Sequence, residues 1–127
     1  MIRLDAVAVS STDMAKTVAF YELLGFTFPA WGPEDRHVEP IAKDGEVRLM
    51  IDTAGLMEEL TGAAPTPPNH SSFAMVCDSP AEVDAVAAAM SAAGYTLTVE
   101  PWDAFWGQRY ATVKDPDGYQ IDIFAAL

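Results

Sequence analysis

The sequence predicts an α+β fold built from two tandem βαβββ modules whose curved mixed sheets surround a cleft. Three observations lead to this prediction. Each half of the chain has an apolar strand followed by a helical segment, and a glycine (Gly25 or Gly94) ends each helix. Three further strand-like segments then follow in each half. The halves therefore repeat one pattern.

The repeat places module one at about residues 1–53 and module two at about residues 70–127. The connection between them, residues 54–69, is rich in proline and is expected to be a linker with one helical turn. Half of the 127 residues are hydrophobic, which is enough apolar surface for a core. We therefore expect one domain over residues 1–127.

Module one is predicted to begin with a strand at 4–10 and a helix that runs to about Leu24. Thr12 or Asp13 can cap that helix, because a short polar side chain accepts a hydrogen bond from the first turn. The segments with strand composition that follow are 26–31, 37–43 and 46–52. An Asp-Gly pair at 44–45 predicts a hairpin between the last two.

Module two contains the stronger local signals. Ser79 opens a capping box with proline at the first helical position, which predicts a helix that runs to Ala93. Strands are predicted at 71–77, 96–100, 108–114 and 119–124. The sequence DPDG at 115–118 predicts a tight turn, because proline sets φ at about −65° and glycine allows positive φ.

The last strand carries the clearest functional signal. Ile121 and Ile123 alternate with Gln120, Asp122 and Phe124, so the two sets lie on opposite faces. An acidic residue between two isoleucines is unusual in a strand unless its own face meets a cavity or water. We therefore expect function on the face that carries Asp122.

Composition excludes several classes of function. Nineteen acidic and seven basic residues give a net charge of −12, which opposes binding to nucleic acids and to anionic membranes. That charge favours a cationic small molecule, or serves solubility alone. The single cysteine, Cys77, excludes an intrachain disulfide. The sequence shows no signal peptide or membrane span, so we expect a cytoplasmic protein.

Three segments in order point to a known family. They are residues 19–26, with AFY and LGF, residues 105–109, FWGQR, and the DPDG turn before the last strand. With them the chain resembles the glyoxalase / bleomycin-resistance / dioxygenase superfamily, also called the vicinal oxygen chelate fold. The resemblance covers nearly the whole chain. It implies the two-module fold, and it is compatible with metal enzymes and with metal-free drug-binding proteins.

The resemblance also indicates where metal ligands would lie. In the superfamily's metal enzymes they come from the first and last strands of each module, which here correspond to Ala6, Leu49, Ser72 and Asp122. Only Asp122 ligates well, so the resemblance implies no standard metal centre and no cofactor. His70 and His37 are the residues that could complete a displaced ligand set.

We expect a pocket for a ligand larger than a chelated two-carbon unit. The strand residues expected to face it are mostly small, namely Ala6, Ala8, Ser10, Ser72 and Ala74. Aromatic side chains beside an acid suit a planar or cationic ligand. The residues predicted to bind it are Trp31, His70, Ser72, Trp102, Phe105, Trp106 and Asp122.

Three functions stay open from the sequence. The first is a metal-free binding protein of the bleomycin-resistance type that sequesters a cationic or aromatic compound such as an antibiotic. The second is a metal-dependent glyoxalase-like lyase, isomerase or dioxygenase. The third is a metal-free enzyme that uses Asp122 and His70 as acid and base. The resemblance implies a homodimer in each case.

Overall fold

The computed structural model describes residues 1–67 and 72–127, and it confirms the α+β class. The chain divides into two compact units, Met1–Pro67 and Pro68–Leu127, each with its own mixed sheet. Within the described ranges, no helix is long and apolar enough to cross a membrane.

The first unit contains three strands and two helices in the part of the chain that is described. They are β1 (Ala6–Ser11), α1 (Met14–Leu23), β2 (His37–Val38), β3 (Arg48–Thr53) and α2 (Ala54–Thr61). The strand order is β1-β3-β2, with β1 parallel and β2 antiparallel to β3. The central strand of the sheet, β3, is therefore the last strand of this unit in chain order.

Both helices of the first unit have capped N-termini. The Asp13 carboxylate accepts a hydrogen bond from the Lys16 N–H at 3.2 Å, as the sequence predicts. Thr53 accepts one from the Leu56 N–H at 3.2 Å and so begins α2. Gly62 ends α2 with a φ of 85°, a value that glycine adopts without strain.

Three expectations for the first unit were wrong. Residues 26–31 form no strand, and Pro29 within them cannot donate to a ladder. The strand expected at 37–43 is limited to His37–Val38, since Pro40 interrupts it in the same way. The connection holds an eight-residue helix where one turn was expected, because Thr53 and Gly62 cap it at both ends.

The second unit has a sheet of four strands. Its elements are β4 (Phe73–Val76), α3 (Pro80–Ala92), β5 (Leu97–Ala104), β6 (Gln108–Lys114) and β7 (Gln120–Ala126). The strand order is β4-β7-β6-β5, with β4 parallel to β7 and the other neighbours antiparallel. The predicted α3 and β6 are confirmed, whereas β5 runs four residues past the predicted end at Glu100.

One face of the second sheet packs on α3. The residues buried there from β6 and β7 are Ala111, Val113, Ile121 and Ile123, each at most 1 % exposed. On α3 the buried residues are Val83, Ala87 and Met90. Ile121 and Ile123 alternate with half-buried Gln120, Asp122 and Phe124, which confirms the predicted phase of the last strand.

The DPDG turn fixes how β7 returns along β6. The Asp115 side chain is 4 % exposed, and its Oδ1 accepts from the backbone N–H groups of Asp117 and Tyr119, each at 2.9 Å. Gly118 has a φ of 98° and closes the turn on the Asp115 carbonyl at 3.0 Å. The register that follows pairs Thr112 with Asp122.

Two isoleucines of the first unit provide a matched test of its core. Ile51 is fully buried and Ile41 is 58 % exposed. We expect Ile51→Ala to lower the free energy of unfolding by about 2–5 kcal/mol, because the loss of buried apolar atoms and the cavity left behind both destabilise the fold. Ile41→Ala should change it by less than about 1 kcal/mol. Urea denaturation measures both, and equal losses would contradict the assigned core.

Candidate functional site: an aromatic and carboxylate face on the second sheet

Among residues 72–127, α3 is the helix that covers one face of the second sheet, and no other helix or strand of these residues covers the opposite face. We call this the open face. Strand register places two rows of side chains on it. One row is Val76, Phe124, Tyr110 and Trp102, and the other is Ala74, Asp122 and Thr112. Aromatic residues and a carboxylate therefore lie in adjacent rows, about 7 Å apart along the strands.

Four aromatic side chains, Trp102, Phe105, Trp106 and Tyr110, form what we call the aromatic cluster. Trp106 is its centre: its ring centroid lies 5.5 Å from Trp102, 5.0 Å from Phe105 and 5.3 Å from Tyr110. All three pairs are edge-to-face, with interplanar angles of 81–90°. Such pairs contribute about 0.5–1.5 kcal/mol each beyond burial.

Backbone and side-chain hydrogen bonds hold Trp106 in place. The turn between β5 and β6 closes through the Gly107 N–H and the Ala104 carbonyl at 3.0 Å. The Trp106 indole Nε1–H donates to Gln108 Oε1 at 2.8 Å. Because Gln108 is the first residue of β6, the indole orientation is tied to the sheet.

The aromatic cluster is unusually exposed for its residue types. Phe105 is 90 % exposed, Trp106 47 % and Trp102 39 %. Large apolar side chains that are exposed together, rather than singly, mark a binding surface more often than a structural one. The cluster therefore combines an ordered arrangement with ring surface that a ligand could cover.

Asp122 lies beside the cluster and accepts hydrogen bonds from side-chain hydroxyls. Thr112 Oγ1 donates to Asp122 Oδ1 at 2.8 Å, and Ser72 Oγ donates to Asp122 Oδ2 at 2.7 Å. The two hydroxyls approach from opposite neighbours, since Thr112 is on β6 and Ser72 directly precedes β4. These bonds orient the carboxylate on the open face.

Tyr110 connects the carboxylate with the aromatic cluster. Burial, followed by a hydrogen bond to Asp122 and the negative charge of that carboxylate, raises the pKa of Tyr110 to about 12. The phenol is therefore neutral at physiological pH and acts as a hydrogen-bond donor. One residue thus packs its ring against Trp106 and directs its hydroxyl toward Asp122.

The structure brings together most residues that the sequence predicts for ligand binding. Ser72 and Asp122 bond to each other, and Trp102, Phe105 and Trp106 form one cluster on the same unit. Trp31 belongs to the first unit, where it is half-buried in an irregular stretch. His70 lies outside the described residues. Whether any of them binds a ligand stays a prediction.

Tyr110 and Thr112 were not predicted from the sequence as members of the site. The signal that could have found them is alternation along β6, where small apolar Ala111 and Val113 face α3. Tyr110 and Thr112 alternate with them along the strand and must then lie on the open face. Gln108, which anchors the Trp106 indole, follows from the same alternation.

The prediction that Leu49 occupies a pocket-facing position was wrong. Leu49 is 4 % exposed and pairs with Val7, so it shares a face with Val9 and Ile51. The other face of β3 carries Arg48, Met50 and Asp52, since Arg48 pairs with Ala6. Leu49 and Ile51 take the buried face, so Arg48 and Asp52 lie with Met50 on the other, half-buried face.

That face of β3 holds a network of charged groups. His37 Nδ1 lies 2.6 Å from Asp52 Oδ1, and His37 Nε2 lies 2.6 Å from Glu39 Oε2. Arg48 pairs with Glu39 and, at 2.8 Å, with Asp5. Hydrogen bonds that the protonated His37 ring donates to Glu39 and then to Asp52 raise the pKa of His37 above its ordinary value of 6.5. The pKa of Glu39 is lowered, chiefly by His37.

The donor atoms at the implied ligand positions do not fit a metal centre of the superfamily's type. Ala6 has no ligating atom, Leu49 is apolar and buried, and Ser72 uses its hydroxyl proton on Asp122. Within residues 1–67 and 72–127, no three His, Cys, Asp or Glu side chains are placed to hold an ion. A catalytic ion usually has three protein ligands.

Comparison with known families agrees with this fold. The model of the Glyoxalase/Bleomycin resistance protein/Dioxygenase superfamily matches residues 3–123, nearly the whole chain. The chain therefore belongs to that superfamily, and the resemblance noted in its sequence is confirmed. No protein of curated function matches it.

Similar solved structures have the same fold. A glyoxalase/bleomycin resistance protein/dioxygenase from Nocardioides is 25 % identical over 100 % of this chain and 85 % of its own, with a TM-score of 0.75. A family enzyme from Burkholderia phytofirmans PsJN is 21 % identical over 99 % and 100 %, with a TM-score of 0.81. A glyoxalase-related enzyme from Fulvimarina pelagi is 21 % identical over 98 % and 88 %, with a TM-score of 0.83.

The His37 network predicts a pH dependence of stability. Because the folded pKa of His37 is raised, its stabilising contribution is complete below about pH 6.5 and is lost as pH rises through the folded value. The difference in unfolding free energy between wild type and His37→Gln should therefore shrink with rising pH. Urea denaturation at several pH values measures it, and a difference that grows with pH would contradict the network.

Proposed function

We propose that this protein binds a cationic or aromatic small molecule without a metal ion and so sequesters it, in the manner of a bleomycin-resistance protein. The binding surface would be the open face of the second sheet. One observation carries the proposal: the exposed aromatic cluster centred on Trp106 lies beside the hydroxyl-bonded carboxylate of Asp122.

The aromatic cluster supports recognition of a flat ligand. Phe105 contacts Trp106 edge-to-face and is 90 % exposed, so most of the Phe105 ring surface is uncovered. A planar guest could stack there and remove apolar surface from water. Burial gains about 25 cal/mol per Å² of apolar area, so ring stacking can supply several kcal/mol.

Charge supports a cationic guest. The chain carries a net charge of −12, which attracts cations over long distances. At short range, Asp122 and the ring faces would act together, since a cation over an aromatic ring gains about 0.5–2 kcal/mol. Every 1.4 kcal/mol is about tenfold in affinity, so the two effects together separate a cationic ligand from its neutral analogue.

Capture rather than turnover is the role we propose for Asp122. The Ser72 and Thr112 hydroxyls already donate to its carboxylate and hold it in one orientation. In this proposal the acceptor position that remains binds an N–H group of the ligand. A homodimer and a cytoplasmic location stay predictions from the sequence.

The competing function is a metal-dependent glyoxalase-like lyase, isomerase or dioxygenase. It makes a different prediction about the purified protein. Under our proposal, protein purified without chelator contains iron, manganese, nickel and zinc well below one equivalent per chain. Elemental analysis measures this directly. A near-stoichiometric metal that survives dialysis would contradict metal-free capture.

Removing the centre of the aromatic cluster should weaken binding. We expect Trp106→Ala to lower affinity for 2-naphthylmethylammonium about tenfold or more, because the variant loses the ring that organises Trp102, Phe105 and Tyr110. Isothermal titration calorimetry gives the affinity, and a panel of cationic antibiotics extends the comparison.

An exposed leucine far along the chain serves as the control. Leu60 is 70 % exposed on α2 in the first unit, so Leu60→Ala removes exposed apolar surface and changes no residue of the second sheet. Its affinity should match that of the wild type. Unchanged affinity in Trp106→Ala, with an unfolding transition like that of the wild type, would remove the aromatic cluster from the binding site.

A further inference from the structure

The hydrogen bonds around Asp122 restrict the ligand groups that the site can accept more than its charge does. Two hydroxyls donate to its two oxygens, Thr112 to Oδ1 at 2.8 Å and Ser72 to Oδ2 at 2.7 Å. The Tyr110 phenol lies near the same carboxylate, which raises the pKa of Tyr110 after burial, the larger cause. Of these residues Ser72 is exposed, Asp122 and Tyr110 are half-buried, and Thr112 is 5 % exposed.

The protons of the Ser72 and Thr112 hydroxyls are thereby committed. An ionised carboxylate only accepts, and a hydroxyl has one proton. Each hydroxyl that bonds to Asp122 must therefore be the donor. The carboxylate can accept about four hydrogen bonds, so at least one acceptor position is left over. Toward a ligand, Asp122 and its hydroxyls present lone pairs.

Two side chains with N–H donors, on the part of the open face that the structure describes, lie on the far side of Asp122. Lys114 and Gln120 form the next cross-strand pair, roughly 7 Å further along β6 and β7 and away from Tyr110. A ligand stacked on the aromatic cluster reaches Asp122 from the Tyr110 side. It therefore meets lone pairs before it meets the Lys114 ammonium.

From this arrangement we infer a rule of specificity that rests on the proposed function: the ligand group that reaches Asp122 must donate a hydrogen bond. A primary or secondary ammonium, a guanidinium or an amidine satisfies the carboxylate and the hydroxyl oxygens. A quaternary ammonium has the same charge but no N–H, so it desolvates these acceptors without replacing their bonds to water.

The rule separates this site from a purely aromatic cation site. Ring faces attract a quaternary ammonium as readily as a primary one, because the attraction depends on charge and not on N–H groups. Hydrogen bonds to a charged group are stronger than those between neutral groups. An ammonium group loses all of its N–H donors when it is fully methylated. The preference for N–H is therefore a property of the Asp122 group and not of the aromatic cluster.

Two probes with the same ring system and the same charge test the rule, one with N–H groups and one with methyl groups in their place. We expect 2-naphthylmethylammonium to bind the full chain at least about tenfold more tightly than its N,N,N-trimethyl analogue in calorimetric titrations. Equal or tighter binding of the trimethyl probe would overturn the rule and leave the proposed function standing. Failure of both probes to bind would overturn the rule and the proposed function together.

Asp122→Asn tests whether Asp122 is the source of the preference. The new amide would donate to one hydroxyl, whose own proton would then turn outward toward the ligand. Both probes carry one positive charge, so the lost charge of Asp122 cancels in their affinity ratio. That ratio should fall below about threefold. An unchanged ratio would assign the preference to another group.

Ser72→Ala provides the matched control. It removes one hydroxyl but keeps the carboxylate and frees one of its lone pairs, so the preference for the primary ammonium should persist. Thermal unfolding establishes that both variants are folded. The wild-type ratio decides the rule by itself if Asp122→Asn fails to fold, and loss of the preference in Ser72→Ala would contradict it.

Discussion

The alternation of β7 is the constraint on which the candidate site depends. Ile121 and Ile123 are buried against α3, and their burial fixes which way every other residue of the strand points. Asp122 must then lie on the opposite face, in the row between Ala74 and Thr112. The hydrophobic effect that stabilises the second unit thus also positions its carboxylate. A slip of one residue would bury Asp122 and expose both isoleucines.

The turn before β7 keeps that register from slipping. Buried Asp115 accepts two backbone N–H groups of the turn, so the strand leaves it in one direction and with one pairing. The pairing of Tyr110 with Phe124 and of Thr112 with Asp122 follows. Trp102, Tyr110 and Asp122 become neighbours through this strand pairing, and the short β5–β6 turn places Phe105 and Trp106 beside them. A site on paired strands keeps its geometry better than a site on loops.

The sequence predicted the second unit more accurately than the first, and the reason is local. In the second unit, Ser79 caps α3, DPDG closes the hairpin, and the alternation of β7 is uninterrupted, so local and tertiary preferences agree. In the first unit, Pro29 and Pro40 break segments whose other residues favour strands. The error at Leu49 came from the register of β3 with β1, which pairs Ala6 with Arg48 and is a tertiary property. Tyr110 was missed because its role depends on the pairing of β6 with β5 and β7.

The proposed function requires that one ligand contacts the aromatic cluster and Asp122 together. NMR of nitrogen-labelled protein titrated with 2-naphthylmethylammonium tests this requirement. We expect saturable shifts of the Trp102 and Trp106 indole N–H signals and of the Asp122 and Thr112 amides, all with one dissociation constant. Saturable shifts confined to the His37, Glu39 and Asp52 region of the first unit would contradict it, and so would shifts of the indoles without any change at Asp122.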